Sequence, residues 1–286
     1  MFRPLSVGAC RGARHYLLAL QFFTRIPVTG RLALWVGYSP EMLRASSAHF
    51  PGVGWLVGGW GALVTMGLLL ALWPSAWASL AAAALGTAAT AYVTGGFHED
   101  GLADVADGLG GSAERERALD IMKDSRLGAY GAMALMLALL IKTALLALLG
   151  AQLPAWTVAA VLAGAHVLSR YCPLWLIRCL PHVGDTARSK SKPLADRIDN
   201  GALLAATAWA LPALALLGWA VSALAALAGL LAAGLATLWL ARWFARRLGG
   251  YTGDCLGAVQ QVSEIAIYLA LALAVMSQAR AGLIAA

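Results

Sequence analysis

The stretch Thr94–Gly131 reads TGGFHEDGLADVADGLGGSAERERALDIMKDSRLGAYG. It holds eight of the chain's 14 acidic residues and is flanked by two apolar segments, residues 77–97 and 129–149. A bilayer crossing needs about 20 such residues, so each is long enough. Acids at the end of a membrane span are costly to keep there, and they point to chemistry before packing.

The centre of the stretch is HEDGLADVADG, residues 98–108. At about 100° per helical residue, Asp100, Asp104 and Asp107 fall within an arc of roughly 60°, with Leu102, Val105 and Leu109 opposite. A helix here puts three carboxylates on one face. Like charges that close raise one another's pKa unless a cation neutralises them. Carboxylate oxygens suit Mg²⁺ or Ca²⁺, and Mg²⁺ is usually held by a few carboxylates plus substrate phosphates. Asp100, Asp104 and Asp107 are therefore the expected metal ligands, for Mg²⁺. Downstream, Lys123 and Arg126 offer positive charge to a phosphate, and Gly128 and Gly131 let backbone approach a ligand. Acids for a metal beside bases for phosphate form a phosphoryl-transfer arrangement. The plain alternative is a solvated acidic loop, which has no need to place three Asp opposite three apolar residues.

Other groups in the stretch read less sharply. His98 points away from Asp100 on an ideal helix, unless it precedes the helix. Metal ligand, general base and capping group all remain open for it. Glu99 lies about 100° off the acidic face. Gly108, Gly110 and Gly111 are expected to break the first helix. Ser112–Arg126 reads as a second one, capped by Ser112, with Glu114 and Glu116 favouring its positive end. Asp120, Lys123, Asp124 and Arg126 are its functional candidates against a surface salt-bridge ladder.

The rest of the chain has the composition of a membrane protein. Of 286 residues, 60% are hydrophobic and 12% charged. Soluble domains carry about 25% charged residues. The fold class expected is an all-α polytopic integral membrane protein of about seven transmembrane helices in one membrane domain, residues 1–286. The spans read as 52–73, 77–97, 129–149, 155–177, 201–217, 221–243 and 258–278. Residues 1–50 precede them, with a short amphipathic or partly inserted helix over 13–28. Residues 98–127, 178–200 and 245–257 are the polar loops. Glycines 52, 54, 58, 59 and 61 read as close-packing surfaces, not as a phosphate loop.

Charge then sets orientation. The basic residues cluster before residue 50, in 98–127, in 178–200 and around 245, whereas the turns at 74–76, 150–154 and 218–220 carry none. By the positive-inside rule the N-terminus and polar loops are cytoplasmic and the C-terminus is outside, so the expected active site faces the cytoplasm. The net charge of +7 is dispersed among the spans and forms no stripe, which argues against nucleic acid. Cys10, Cys172, Cys179 and Cys255 show neither metal spacing nor a disulfide framework. No apolar core precedes Val7–Cys10, so no cleavable signal is read there. A homo-oligomer is compatible with the pattern.

Four more ionisable groups fall inside spans. Glu264 reads as a substrate contact or as the partner of Arg170. Lys142 reads as close enough to the outer end to snorkel, and His166 carries no assigned role. Asp254, flanked by glycines, is expected to complete the metal site or hold a nucleotide.

The pattern T-G-G-x-H-x-D-G-L-A-D-x-x-D-G, followed by I-M-K-D-S-R-x-G-x-x-G, resembles the cobalamin synthase (adenosylcobinamide-GDP ribazoletransferase) family. LALQFFTRIPV at 18–28 and GGYTGDCLGAVQQVSE at 249–264 match it too, and SKSKPLA at 189–195 is similar to one branch. The departures are Phe97 and Glu99, where apolar residues are expected, and Gln260 and Gln261, where an Asn is expected. The resemblance adds Arg25 and Asp124 to the phosphate and substrate candidates, alongside Lys123, Arg126, Asp254 and Glu264. It implies a bacterial inner-membrane enzyme that joins adenosylcobinamide-GDP to α-ribazole or its 5′-phosphate, with release of GMP. Asp100, Asp104, Asp107 and His98 are then the catalytic candidates. A CDP-alcohol phosphotransferase is the nearest alternative, but there an Ala-Arg pair follows Asp-Gly, and here Ala103 precedes Asp104. A transporter would place its polar sites at mid-membrane.

Overall fold

The structure, a computed structural model, describes residues 7–184 and 197–285. SKSKPLA and the basic residues Arg188, Lys190 and Lys192 lie outside the described residues. Among the described residues the chain is helical between turns, with one isolated bridge between His182 and Tyr251.

Helix α1 (Val7–Phe23) begins and ends earlier than the expected 13–28. The Thr24 hydroxyl donates to the Leu20 carbonyl at 2.7 Å and accepts from Ile26 N–H at 3.1 Å, which turns the chain before Pro27. Residues 31–50 hold two short helices, α2 (Gly30–Val36) and α3 (Pro40–Ser46), and a 3₁₀ turn. The Ser39 hydroxyl caps α3, accepting from Met42 N–H at 3.1 Å.

The long helices follow as α4 (Phe50–Ala71), α5 (Ala78–Thr94), α6 (Phe97–Gly111), α7 (Arg115–Met122), α8 (Ala129–Gln152), α9 (Ala155–Tyr171) and α10 (Pro173–Cys179). The chain then continues as α11 (Asn200–Ala220), α12 (Ala223–Leu248) and α13 (Gly253–Ala285). Among the described residues, six helices or helix pairs are long and apolar enough to cross a membrane, and α5 with α6 makes a seventh if that bent pair counts as one. The α9–α10 unit is the hub: 89% of its most apolar window is buried, against 22% for α8 and for α11. Lipid-facing helices keep their leucines outward; a helix ringed by protein cannot.

Small residues let α4 approach that hub. A Cβ on Gly54 would sit 2.6 Å from the His166 carbonyl, and one on Gly58 would sit 2.9 Å from Ala163 Cα. Gly52 meets Trp209 and Gly61 meets Thr90, whereas Gly59 faces open space. Four of the five expected packing glycines are therefore contacts.

Of the expected polar loops, 98–127 carries the two helices expected in it and 245–257 is mostly helical instead. The stretch 98–127 is α6 and α7. Gly95 and Gly96 both take φ near +70°, a conformation that favours glycine, and they turn α6 by 90° from α5. With 17 residues, α5 spans about 25 Å before α6 leaves its axis. Gly108 and Gly110 lie within α6 without breaking it, and the helix ends at Gly111. Gly108 admits the Met122 side chain, and Gly110 lies against the Tyr130 ring. Ser112 does not cap α7, which starts only at Arg115. The supposed loop 245–257 shrinks to 249–252, because α12 runs on to Leu248.

Arg247 and Arg115 cap helix ends. Arg247 donates to the carbonyls of Leu109 (3.3 Å) and Ser112 (2.5 Å) at the end of α6. Arg115 Nε donates to the Leu248 carbonyl (2.6 Å) at the end of α12. Each helix C-terminus, negative by its dipole, takes a guanidinium from the other's neighbourhood. The acidic helix and α7 are thereby tied to α12.

Candidate active site

The three aspartates of α6 share a face but differ in surroundings. Asp100 is exposed, Asp104 is half-buried and Asp107 is buried. Both Asp107 oxygens are engaged: Oδ2 accepts from Gly128 N–H at 2.7 Å and Oδ1 from Gly131 N–H at 2.8 Å. These are free amides at the start of α8, where the dipole favours an anion. A Cβ on Gly128 or Gly131 would collide with the Asp107 carboxylate. The two glycines that the sequence offers to a ligand thus admit Asp107.

Helix α6 crosses the start of α13 at backbone contact. A Cβ on Gly101 would lie 2.8 Å from the Asp254 carbonyl, and one on Gly257 would lie 3.1 Å from the His98 carbonyl. This crossing brings Asp254 to Asp104 from 150 residues away. Burial, and then the charges of Asp254, Asp100 and Asp107, push Asp104 up to about 7. The Thr252 hydroxyl donates to Asp254 Oδ2 at 3.2 Å.

Among the described residues, no three His, Cys, Asp or Glu side chains already converge as a finished metal centre. The donor chemistry still fits a hard cation. Asp100, Asp104 and Asp254 are carboxylates with oxygens to spare, and their mutual repulsion is what a divalent ion would relieve. Asp107 is the least available of the expected ligands.

The cations lie in two places. In the turn after α7, Lys123 is exposed, and Arg126 grips Asp124 with Nε at 2.9 and 3.1 Å and Nη2 at 2.5 Å. That grip, through hydrogen bonds above all, holds Asp124 down at about 2. Arg25 lies at the α5–α6 bend. Its N–H donates to the Val93 carbonyl at 2.8 Å, its Cζ stands 5.8 Å from the Tyr92 ring centroid, and its Nε passes where a Cβ on Gly95 would be.

His98 is the second residue of α6 and is 1% exposed. Its ring stacks on Phe50 at 5.6 Å and meets Phe97 edge-on at 5.4 Å. Its Nε2 has no hydrogen-bond partner. It borders a cavity of about 20 Å³, room for roughly one water, lined by Phe22, Phe23, Phe97 and Leu256.

A second polar cluster, which the sequence did not group together, lies inside the bundle. Glu264 Oε1 is 3.2 Å from Lys142 Nζ, accepts from Tyr268 OH at 3.1 Å and stands 3.6 Å from His166 Nε2. Gln260 Nε2 donates to Glu264 Oε2 at 2.7 Å. Lys142 is 2% exposed and donates to Gln261 Oε1 at 2.8 Å, so it does not snorkel. Arg170 Nη1 donates to the His166 carbonyl at 3.0 Å and to Nδ1 at 2.9 Å, and it forms no direct pair with Glu264. Because Arg only donates, the His166 proton sits on Nε2, facing Glu264. Gln261 Nε2 donates onward to Glu99 Oε1 at 3.1 Å. The positions that depart from the family pattern, Glu99 with Gln260 and Gln261, therefore meet in space. Only their shared mismatch could have hinted at this in the sequence.

Comparison with known proteins bears on the same residues. The family described as cobalamin-5-phosphate synthase matches residues 15–272. An adenosylcobinamide-GDP ribazoletransferase of Polaromonas sp. is 61% identical over 91% of this chain and 96% of its own length. One from Vibrio cholerae is 41% identical over 90% of this chain and 92% of its own. No solved structure matches. The matched span contains every candidate residue from Arg25 to Glu264, and on that ground the chain belongs to the cobalamin-5-phosphate synthase family.

Proposed function

We propose that this chain transfers the cobinamide-phosphate group of adenosylcobinamide-GDP to the ribose hydroxyl of α-ribazole or of its 5′-phosphate. The hydroxyl oxygen bonds to the cobinamide-side phosphorus, the bond from that phosphorus to the bridging oxygen of the GDP breaks, and GMP leaves with that oxygen. The observation that carries the reading is the juxtaposition of Asp100, Asp104 and Asp254 at the α6–α13 crossing, within a chain whose relatives carry that name.

Asp100, Asp104 and Asp254 would hold Mg²⁺, with phosphate and water completing its shell. When bound, Mg²⁺ neutralises the pyrophosphate and the leaving oxygen. Asp107 keeps α6 and the start of α8 together, so that the turn bearing Lys123 and Arg126 stays beside the acids. Arg126 can exchange Asp124 for a substrate phosphate, since a guanidinium fits either bidentately. An aspartate of the acidic face that holds no metal would accept the hydroxyl proton. The basic side of the bundle would face the cytoplasm across a bacterial inner membrane.

The test is GMP release from adenosylcobinamide-GDP by purified protein, with each acceptor in turn and Mg²⁺ present. Turnover with neither acceptor would end the reading. Full turnover in excess EDTA would end its metal component alone.

A further inference from the structure

Two basic and two acidic side chains meet around the interior cluster, Lys142 and Arg170 with Glu264 and Glu99. Without Glu99 the interior would hold one positive charge more than it can balance. An unbalanced charge inside a bundle is strongly unfavourable. The interior thus draws in one acid from α6.

Which acid goes in decides the rotation of α6. Glu99 and Asp100 are adjacent, about 100° apart around the helix. With Glu99 on Gln261, Asp100 is exposed and Asp104 faces Asp254. Turning α6 to put Asp100 inside would carry Asp104 away from Asp254. The bridge is short: Lys142 Nζ to Gln261 Oε1 is 2.8 Å, and Gln261 Nε2 to Glu99 Oε1 is 3.1 Å. It links α8, α13 and α6, and Lys142 and Gln261 are both 2% exposed.

We propose that Lys142, Gln261 and Glu99 form a positioning relay that sets the rotation of α6 and thereby directs Asp100 and Asp104 to the substrate side. These are positioning residues; none touches the reacting groups. The activity arm of the test rests on the reaction proposed above, whereas the labelling arm does not.

For the labelling arm, which keeps Asp100 in place, a cysteine replaces the half-buried Ala106 of α6 in a chain with Cys10→Ser and Cys179→Ser, and its rate with a membrane-impermeant maleimide is measured in detergent. Glu99→Gln, Lys142→Met and Gln261→Met are each added to that background. Gln261→Met breaks the bridge while leaving every charge in place, so it serves if the charge variants fail to fold. Each is expected to slow labelling on the order of 10-fold, since turning Asp100 to the azimuth of Glu99 carries position 106 to that of Val105, which is 2% exposed. In the otherwise unaltered enzyme, the same single substitutions are expected to lower kcat on the order of 10- to 100-fold, with KM for the nucleotide donor nearly constant. The double variant Glu99→Gln/Lys142→Met restores charge balance and is expected to recover at least half of the lost Tm without recovering kcat. Unchanged labelling in folded Gln261→Met protein would overturn the relay. So would single variants that lose Tm yet keep both labelling rate and kcat, because the cluster would then be only structural.

Discussion

The acidic face of α6 and the cluster around Glu264 are both rich in charge, yet they are built on opposite rules. At Glu264 each carboxylate oxygen has a partner, and the helices supply cations and amides from every side. On α6, Asp104 has carboxylates as its charged neighbours and is pushed up to about 7. Asp107 stands between the two cases, buried and satisfied by backbone amides. The difference separates acids that hold the bundle from acids that wait for a ligand. A buried, paired acid is lost at a cost in folding; a crowded, unpaired one can be neutralised at a gain.

The largest expected effect is on activity. Asp104→Asn keeps volume but removes charge, and turnover should fall on the order of 10³-fold while insertion and purification stay normal. With Asp104 silent, the acidic face would be a solvated surface after all. Glu264→Ala should act the other way. Leaving Lys142 without its partner should cost about 3–5 kcal/mol, read as lost Tm or lost expression. A Glu264→Ala protein as stable as the parent would erase the distinction between the two regions.

Asp107→Asn tests the middle case. One of the two amide contacts would lose its acceptor, so a loss of about 1–2 kcal/mol is expected, with activity falling less than in Asp104→Asn. A stability loss larger at Asp104 than at Asp107 would reverse the assignment.

The pH response sharpens it further. The folded protein raises Asp104 from 3.8 to about 7, so it binds that proton more tightly than the unfolded chain does. The stability associated with that proton is present below 3.8 and is lost as pH rises toward about 7. In EDTA, Tm should therefore drop over that window, and Asp104→Asn should flatten the drop. Added Mg²⁺ should restore Tm at the upper end.

The smallest effect is expected at Glu114→Gln, which lies beyond α6, makes no ion pair among the described residues and should keep turnover within about 2-fold. Impermeant labelling tests sidedness without any change in rate. Cysteines at Ser112 and Arg246 should react from the cytoplasmic side only, and one at Ser75 from the outside only.

Spans, turns and the shared azimuth of three aspartates are legible in the chain because each depends on neighbours within one helix. Apolar length marks a crossing, and a 3.6-residue period fixes which side chains share a face. The bend at Gly95–Gly96, by contrast, falls inside the expected span 77–97 and emerges only in the structure. Periodicity fixes a side chain's direction only relative to its own helix. It could not say that Asp107 would meet the amides of α8, that Lys142 would find Gln261 across 119 positions, or that Gln261 would find Glu99 across 162. Nor could it bring Asp254 to Asp104. Those pairings were decided by how the helices pack, where balancing buried charge and filling space between small residues left α6 one favourable rotation.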